Sequence, residues 1–130
     1  MVYRSFIGGK VGKVLLKVRN LHKGTFIADR VQLADTFWRR LRGLLGKKAL
    51  GKGEGLLISP ASAIHTFFMA FPIDVAFLDE HGQVVRAHSY LPPFRIALGG
   101  RRAKRALELP AGTLAETKTQ EGDLIVIEAK

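Results

Sequence analysis

The 130-residue sequence contains no cysteine, a single asparagine and a single internal methionine, Met69. Without cysteine, both disulfide bonds and thiolate metal ligands are excluded. A shortage of thermolabile residues is typical of proteins from thermophiles. No apolar run reaches the roughly 18 residues that a membrane-spanning helix needs. Lys13 and Lys17 interrupt the apolar run near the N-terminus, so we expect no signal peptide and a cytoplasmic protein.

The net charge of +10 is distributed unevenly along the chain. Residues 1–53 carry 13 Lys and Arg against 2 Asp and Glu, a net charge of +11, whereas residues 54–100 carry 2 against 4 and residues 101–130 carry 6 against 5. The basic character therefore belongs to the N-terminal part. Such a charge attracts polyanions, including nucleic acid, without specifying one of them.

The length fits one domain with a substantial core, and alternating apolar residues predict mostly strands. Strands are predicted at 13–19, 26–33, 56–58, 64–69, 73–78, 83–90, 106–109 and 124–128, with a single helical turn at 113–117. Glycine and proline mark the turns between them. We expect residues 1–24 to be a basic arm or edge strand, and residues 25–130 to be one β-rich domain.

One amphipathic helix is predicted at 35–45, with Asp35 as its N-cap and Gly46 after its end. Its apolar stripe includes Trp38, which we expect to be buried. The predicted fold is therefore mainly β (α+β), an antiparallel β-sandwich or barrel-like domain with one amphipathic helix.

The longest apolar stretch, residues 64–79, contains the carboxylate Asp74 in its interior and ends at Asp79. On a strand, Ile73 and Val75 point to one side and Asp74 to the other. A carboxylate in such surroundings is costly unless it is paired or hydrogen-bonded. In one interpretation it accepts bonds from backbone N–H groups, which is the commoner arrangement; in the other it pairs with His65 or an arginine at a ligand site.

Several segments together resemble a known family. They are His65-Thr-Phe-Phe-Met69, Phe71-Pro-Ile-Asp-Val75, Phe77-Leu-Asp79, Phe37-Trp-Arg-Arg-Leu-Arg-Gly-Leu-Leu45, Glu54-Gly-Leu-Leu57, Ala103 and Leu107-Glu-Leu-Pro-Ala-Gly-Thr113. Over roughly residues 25–128 the chain resembles the uncharacterised family called domain of unknown function 192. The resemblance implies a compact, sandwich-like, mostly antiparallel β domain, and it brings no established activity.

The sequence gives little support to catalysis. His65, His88 and Asp74 are the residue types of a two-histidine, one-carboxylate metal site, but they lack the usual spacing of ligand pairs. No serine lies in a nucleophile elbow. We therefore predict no catalytic residues, no metal and no cofactor, and a hydrolase or metal-dependent enzyme is the third hypothesis.

The leading hypothesis is a non-enzymatic domain that binds a small ligand or a protein partner, with a pocket for an anion or a polyol. Its candidate residues are His65, Thr66, Met69, Asp74, Arg101 and Arg102. The alternative is a polyanion (nucleic acid) binder that contacts phosphates. Its candidate residues are Arg39, Arg40, Arg42, Lys47, Lys48 and Lys52. A solvated basic face is the simpler explanation of those six cations.

Overall fold

The computed structural model describes residues 15–35 and 49–130, which form nine strands and one short helix. The elements are β1 (Leu15–Asn20), β2 (Thr25–Ala34), β3 (Glu54–Ile58), β4 (Ala63–His65), β5 (Ile73–Leu78), β6 (Val84–Leu91), β7 (Ile96–Leu98), β8 (Arg105–Pro110), α1 (Thr113–Glu116) and β9 (Ile125–Ala129). The fold is mainly β, as predicted, and α1 lies where the helical turn was predicted.

Seven strands form one sheet in the order β6-β5-β8-β3-β2-β1-β9. All neighbours are antiparallel except β2 and β3, which are parallel. The sheet curls into a half-barrel, and its two edge strands meet at one end. There Gln83 and Leu124 form an isolated bridge, and the N–H of Val84 donates to the carbonyl of Asp123 over 2.9 Å. The meeting of the edges gives the open sheet a fixed curvature.

Alternate residues of the buried strands fill two core clusters on opposite faces of the sheet, as the period of a strand requires. In β5, Ile73, Val75 and Phe77 belong to one cluster, and Ala76 and Leu78 belong to the other. The predicted orientation of Ile73 and Val75 is therefore confirmed. All six residues of β5 are buried, so the strand lies at the centre of the molecule.

Strands β4 and β7 form a separate two-stranded sheet. Its inner residues, Ile64 and Ala97, are buried in the same cluster as Val75 and so pack against the large sheet. Its outer residues, Ile96 and Leu98, are 62% and 58% exposed. The small sheet thus covers one face of the core and presents an apolar face to solvent.

The structure differs from the predicted elements in three places. The strand predicted at 64–69 ends at His65, because Phe68 adopts a positive φ of 64° that no strand accommodates. Strand β7 lies where a loop was predicted. Strand β1 is not at an edge, because it pairs with β2 on one side and with β9 on the other. Apart from its predicted N-cap Asp35, the helix predicted at 35–45 lies outside the described residues, and so does Trp38.

Candidate binding surface

Thr66 joins two loops that are far apart in the sequence. Its side chain is fully buried, and its hydroxyl donates to the carbonyl of Pro92 over 2.7 Å and accepts from the N–H of Arg95 over 2.9 Å. Its own N–H donates to the Arg95 carbonyl over 2.9 Å, and its carbonyl accepts from the N–H of Phe94 over 3.0 Å. These four bonds hold the loop after β4 against the loop before β7.

Each of the two joined loops carries an exposed phenylalanine. Phe68 is 78% exposed and Phe94 is 59% exposed, and both have a φ of 64°. Left-handed backbone at a bulky residue is a genuine outlier that costs on the order of 1–3 kcal/mol. The two rings contact each other edge to face, with 5.9 Å between centroids. The Thr66 bonds therefore hold two strained residues with their rings directed outward.

Two further rings extend the cluster towards the small sheet. His65 stacks on Phe67 with 5.3 Å between ring centroids, and Phe67 lies 6.3 Å from Phe94. Burial lowers the pKa of His65 below its usual value, which favours the neutral imidazole. Ile96 pairs with His65 across the sheet. The exposed face formed here, termed the outer apolar surface, consists of His65, Phe67, Phe68, Phe94, Ile96 and Leu98.

Met69 lies underneath this surface. It is only 5% exposed, and it belongs to the core cluster that contains Ile64 and Phe77. Its N–H donates to the Thr66 carbonyl over 3.2 Å, which closes the turn that carries Phe68. Thr66 and Met69, both predicted as ligand-binding residues, therefore support the surface from below.

Asp74 has a structural environment. It is fully buried, and it accepts hydrogen bonds from three backbone N–H groups, those of Tyr90 at 2.9 Å, Gly112 at 3.1 Å and Leu114 at 2.8 Å. The carboxylate thus joins the end of β6 to the start of α1. The interpretation of Asp74 as a backbone acceptor is supported, and none of these contacts involves His65 or an arginine.

Arg101 and Arg102 are exposed in the turn after β7 and line two open clefts. The first, of about 380 Å³, is lined by Asp79, Glu80, His81, Gln83, Arg101, Arg102 and Lys104. The second, of about 290 Å³, is lined by Val85, Arg86, Gly99, Gly100, Arg101 and Arg102. The six predicted ligand-binding residues therefore lie at three places: the outer apolar surface, the Asp74 junction and this turn.

Comparison with known proteins places the chain in a family. Residues 18–127 match the model of domain of unknown function 192, described as uncharacterized ACR. The chain belongs to this family. A UPF0127 protein from Pyrococcus horikoshii is 37% identical over 100 residues, which cover 73% of this chain and 84% of the relative. The thermophilic origin predicted from the composition agrees with such archaeal relatives.

Two solved structures share the fold of this family member. A protein of unknown function from Novosphingobium aromaticivorans DSM 12444 superposes with a TM-score of 0.74 at 20% identity, covering 85% of this chain and 82% of that one. A Sinorhizobium meliloti 1021 protein described as a candidate transcription regulator superposes with a TM-score of 0.77 at 22% identity, covering 91% and 97%. These likenesses establish the fold alone.

A second buried carboxylate, Glu108, lies in the family-like segment Leu107–Thr113 and was missed by the sequence analysis. It is fully buried, and neither carboxyl oxygen has a hydrogen-bond partner among the residues that the structure describes. Burial raises its pKa to about 8, so the carboxyl is mostly protonated at pH 7. Like Asp74, Glu108 is a carboxylate between apolar neighbours, Leu107 and Leu109, and this pattern is visible in the sequence.

The other predicted sites are only partly within the described chain. Lys52 is exposed, and its carbonyl accepts from Nη2 of Arg30 over 2.7 Å. The remaining polyanion candidates, Arg39, Arg40, Arg42, Lys47 and Lys48, lie outside the described residues. Within residues 15–35 and 49–130, no group of three or more His, Asp or Glu has the arrangement of a metal site. In the same ranges, no helix is long and apolar enough to cross a membrane.

Proposed function

We propose that this family member is a non-enzymatic binding domain that contacts its partner through the outer apolar surface. The observation that carries the proposal is the pair Phe68 and Phe94, exposed by 78% and 59% on left-handed backbone. Each ring would gain on the order of 1.5–3 kcal/mol if it were buried. Folding stability alone favours neither the exposure nor the strain.

The Thr66 bonds explain how the arrangement persists. Strain of this kind survives only where surrounding contacts over-determine the backbone, and it concentrates at functional sites. Here Thr66 makes four hydrogen bonds between the two loops, and Met69 anchors one of them in the core. The rings are thus positioned before a partner arrives, which reduces the entropy lost on binding. A contiguous exposed apolar patch is the usual mark of an interaction site.

Catalysis has less support among the described residues. The carboxyl with the most perturbed pKa, Glu108, is fully buried and has no access to a substrate in this conformation. Both carboxyl oxygens of Asp74 accept hydrogen bonds from backbone N–H groups. A binding role requires neither residue to reach solvent. We therefore assign the contact to the exposed aromatic rings and not to the buried carboxyls of Asp74 and Glu108.

The test compares two double variants of the full chain. Phe68→Ser with Phe94→Ser removes both exposed rings, and Leu21→Ser with Phe26→Ser is the matched control, since those side chains are 52% and 50% exposed at the hairpin between β1 and β2. Circular dichroism and thermal melting check that both variants fold. Binding is measured to three immobilised probes: an oligo(dT), vesicles of anionic phospholipid, and a library of random peptides.

We expect the wild-type chain to bind at least one of the three probes. The Phe68 and Phe94 variant should bind that probe at least ten-fold more weakly, whereas the Leu21 and Phe26 control should retain its affinity. Failure to bind all three probes would contradict the proposal. Equal losses in the two variants would contradict it as well, because the binding would then be general hydrophobic adhesion.

A further inference from the structure

Resting on this proposed function, we propose that the partner is a single-stranded nucleic acid. Its bases would stack on the exposed rings of the outer apolar surface, and its phosphates would enter the basic cleft of Arg86, Arg101 and Arg102. Single-strand binding sites combine these two features, because every base has a flat face that stacks on aromatic rings and every nucleotide carries a phosphate. Phe94 precedes strand β7, and Arg101 and Arg102 follow it, so one short stretch of chain carries both features.

The cleft of about 290 Å³ is lined by arginines without a carboxylate, whereas Asp79 and Glu80 line the neighbouring cleft beside the same Arg101 and Arg102. Residues 81–107 contain six cations and no carboxylate, and residues 55–73 contain no charged residue at all. The four ion pairs recorded for the described residues involve none of the six cations. Their charge is therefore not neutralised by a neighbouring carboxylate within 4 Å in the described chain. A surface of this kind attracts a polyanion.

The cleft of about 290 Å³ is built by a rigid turn. Gly99 lies so close to the core that a Cβ there would approach the Phe77 ring to 2.5 Å and the Cβ of Ala103 to 2.6 Å. Gly100 has a φ of 92°, which favours glycine. Nη1 of Arg86 donates to the carbonyl of Leu98 over 3.2 Å, which holds that guanidinium beside the turn. The cleft is lined by three arginines and no carboxylate.

Strand β7 connects the rings to the cleft. Phe94 precedes the strand, and Arg101 follows it by three residues, so their backbones are at most about 23 Å apart at 3.3 Å per residue. Ile96 and Leu98 point outward between them. This span suits a short single strand, since comparable sites hold about 4–16 nucleotides. Arg95 is exposed along the same path.

Other polyanionic partners fit these features less well. In duplex DNA the faces of the bases are stacked on one another, so the rings have nothing to stack on. An anionic bilayer presents a flat layer of headgroups, whereas the arginines line a concave cleft that suits individual phosphates on a flexible chain. An acidic peptide would satisfy the charge but supplies few flat faces for the rings.

The test measures the binding of fluorescein-labelled oligo(dT), about 15 nucleotides long, by fluorescence anisotropy between about 50 and 200 mM salt. For the wild-type chain, we expect log K to fall linearly with log salt. Arg101→Gln with Arg102→Gln should reduce the slope by about 1.4, since each phosphate contact to a single strand contributes about 0.7. Phe68→Ser with Phe94→Ser should weaken binding at least ten-fold at every salt concentration and leave the slope unchanged.

A charge-matched control separates the cleft from general attraction. Lys118→Gln with Lys130→Gln removes the same charge from exposed positions elsewhere. The salt slope of this control should lie within about 0.3 of the wild-type slope, whereas the arginine variant should change the slope by about 1.4. An equal slope change in both variants would overturn the proposal, as would tighter binding to a duplex of the same length. Binding of vesicles or peptides in place of oligo(dT), with the loss confined to the Phe68 and Phe94 variant, would overturn the nucleic-acid assignment and leave the proposed function intact. If no probe bound, both would fall.

Discussion

Glu108 and His88 lie on either side of Val75, on the two strands that flank β5, and the side chains of all three residues share one face of the sheet. The register places Val75 opposite His88 in β6 and opposite Glu108 in β8. The backbones of the two outer residues are therefore about 10 Å apart. Among the described residues, neither Nε2 of His88 nor either carboxyl oxygen of Glu108 has a hydrogen-bond partner. This face of the sheet thus includes three buried side-chain atoms without a hydrogen-bond partner among the described residues.

Glu108 predicts an unusual dependence of stability on pH. Burial raises its pKa from 4.5 to about 8 in the folded chain, so between these values the folded state holds a proton that the unfolded state has released. The contribution of Glu108 to the free energy of unfolding should therefore be largest below pH 4.5. It should fall as the pH rises towards 8, by up to about 1.4 kcal/mol per pH unit. Urea unfolding at pH 5, 7 and 9 measures the change.

The matched control for this prediction is Glu116→Gln, because Glu116 is an exposed carboxyl on α1. Glu108→Gln should flatten the pH dependence between 5 and 9 and stabilise the chain at pH 9, whereas Glu116→Gln should leave the wild-type curve unchanged. Identical pH dependence in the wild type and in Glu108→Gln would show that the carboxyl is not buried in its protonated form.

Asp74→Asn should destabilise the fold. The N–H of Tyr90 donates to Oδ1 of Asp74, and those of Gly112 and Leu114 donate to Oδ2. Asparagine replaces one of these two oxygens by an NH₂ group, so at least one buried N–H loses its acceptor. Leaving buried donors unsatisfied costs about 1–3 kcal/mol. Thermal and urea unfolding measure the loss, and oligo(dT) affinity should stay within two-fold of wild type. An unchanged melting temperature would contradict the structural role of Asp74.

Thr66→Val tests whether the hydroxyl holds the two loops. Valine has nearly the same shape, but it removes the bonds to the Pro92 carbonyl and the Arg95 N–H. We expect a loss of about 1–3 kcal/mol in the free energy of unfolding and faster amide exchange at Phe94 and Met69, whose N–H groups donate to the Thr66 carbonyl. Thr66→Ser, which keeps the hydroxyl, should restore most of the protection. If the valine variant protects both loops as well as the wild type does, the hydroxyl is not what fixes the rings.

Gly99→Ala tests the turn that forms the basic cleft. The added methyl group would lie 2.5 Å from the ring of Phe77, so the turn or the ring must shift, at a cost of about 1–3 kcal/mol. Gly51→Ala is the control, because its methyl group would meet only the flexible side chain of Glu54 at 3.4 Å. Urea unfolding compares the two variants. Equal stability in both would mean that the turn is looser than its contacts indicate.

Much of the fold follows from local patterns. In β5 neither of the two alternating faces is polar throughout, which identifies a strand that is buried on both sides. The turn after β5 follows from Asp79 and Gly82: the Asp79 carboxylate accepts the N–H groups of His81 and Gln83, and Gly82 has a φ of 92°. These interactions join residues within a few positions of each other, so the sequence contains their signal.

The binding surface could not be predicted in the same way. The general rule that large apolar side chains are buried would place both Phe68 and Phe94 in the core. Their exposure depends on hydrogen bonds from Thr66 to residues 26 and 29 positions away, which no local pattern reveals. The interior position of β1 likewise depends on pairing with β9, more than 100 residues further along the chain.

The buried carboxyls of Asp74 and Glu108 differ in their hydrogen bonding, and this difference also depends on where each residue lies in the folded sheet. Asp74 lies next to the turn before α1, where backbone N–H groups lack strand partners and can donate to it. Glu108 lies in the middle of β8, between β3 and β5, where the backbone groups are already engaged in the sheet. Asp74 was singled out from the sequence and Glu108 was missed, and only the sheet register determines which of the two carboxyls is hydrogen-bonded.

The most direct test of the central claim, that the outer apolar surface is the contact surface, is chemical-shift mapping of the ¹⁵N-labelled chain with whichever of oligo(dT), anionic vesicles and peptides binds it most tightly. The account predicts that the largest amide shifts or losses of intensity fall at residues 65–69 and 94–98. Shifts concentrated at the hairpin between β1 and β2, around Leu21 and Phe26, with residues 65–69 and 94–98 unperturbed, would contradict it.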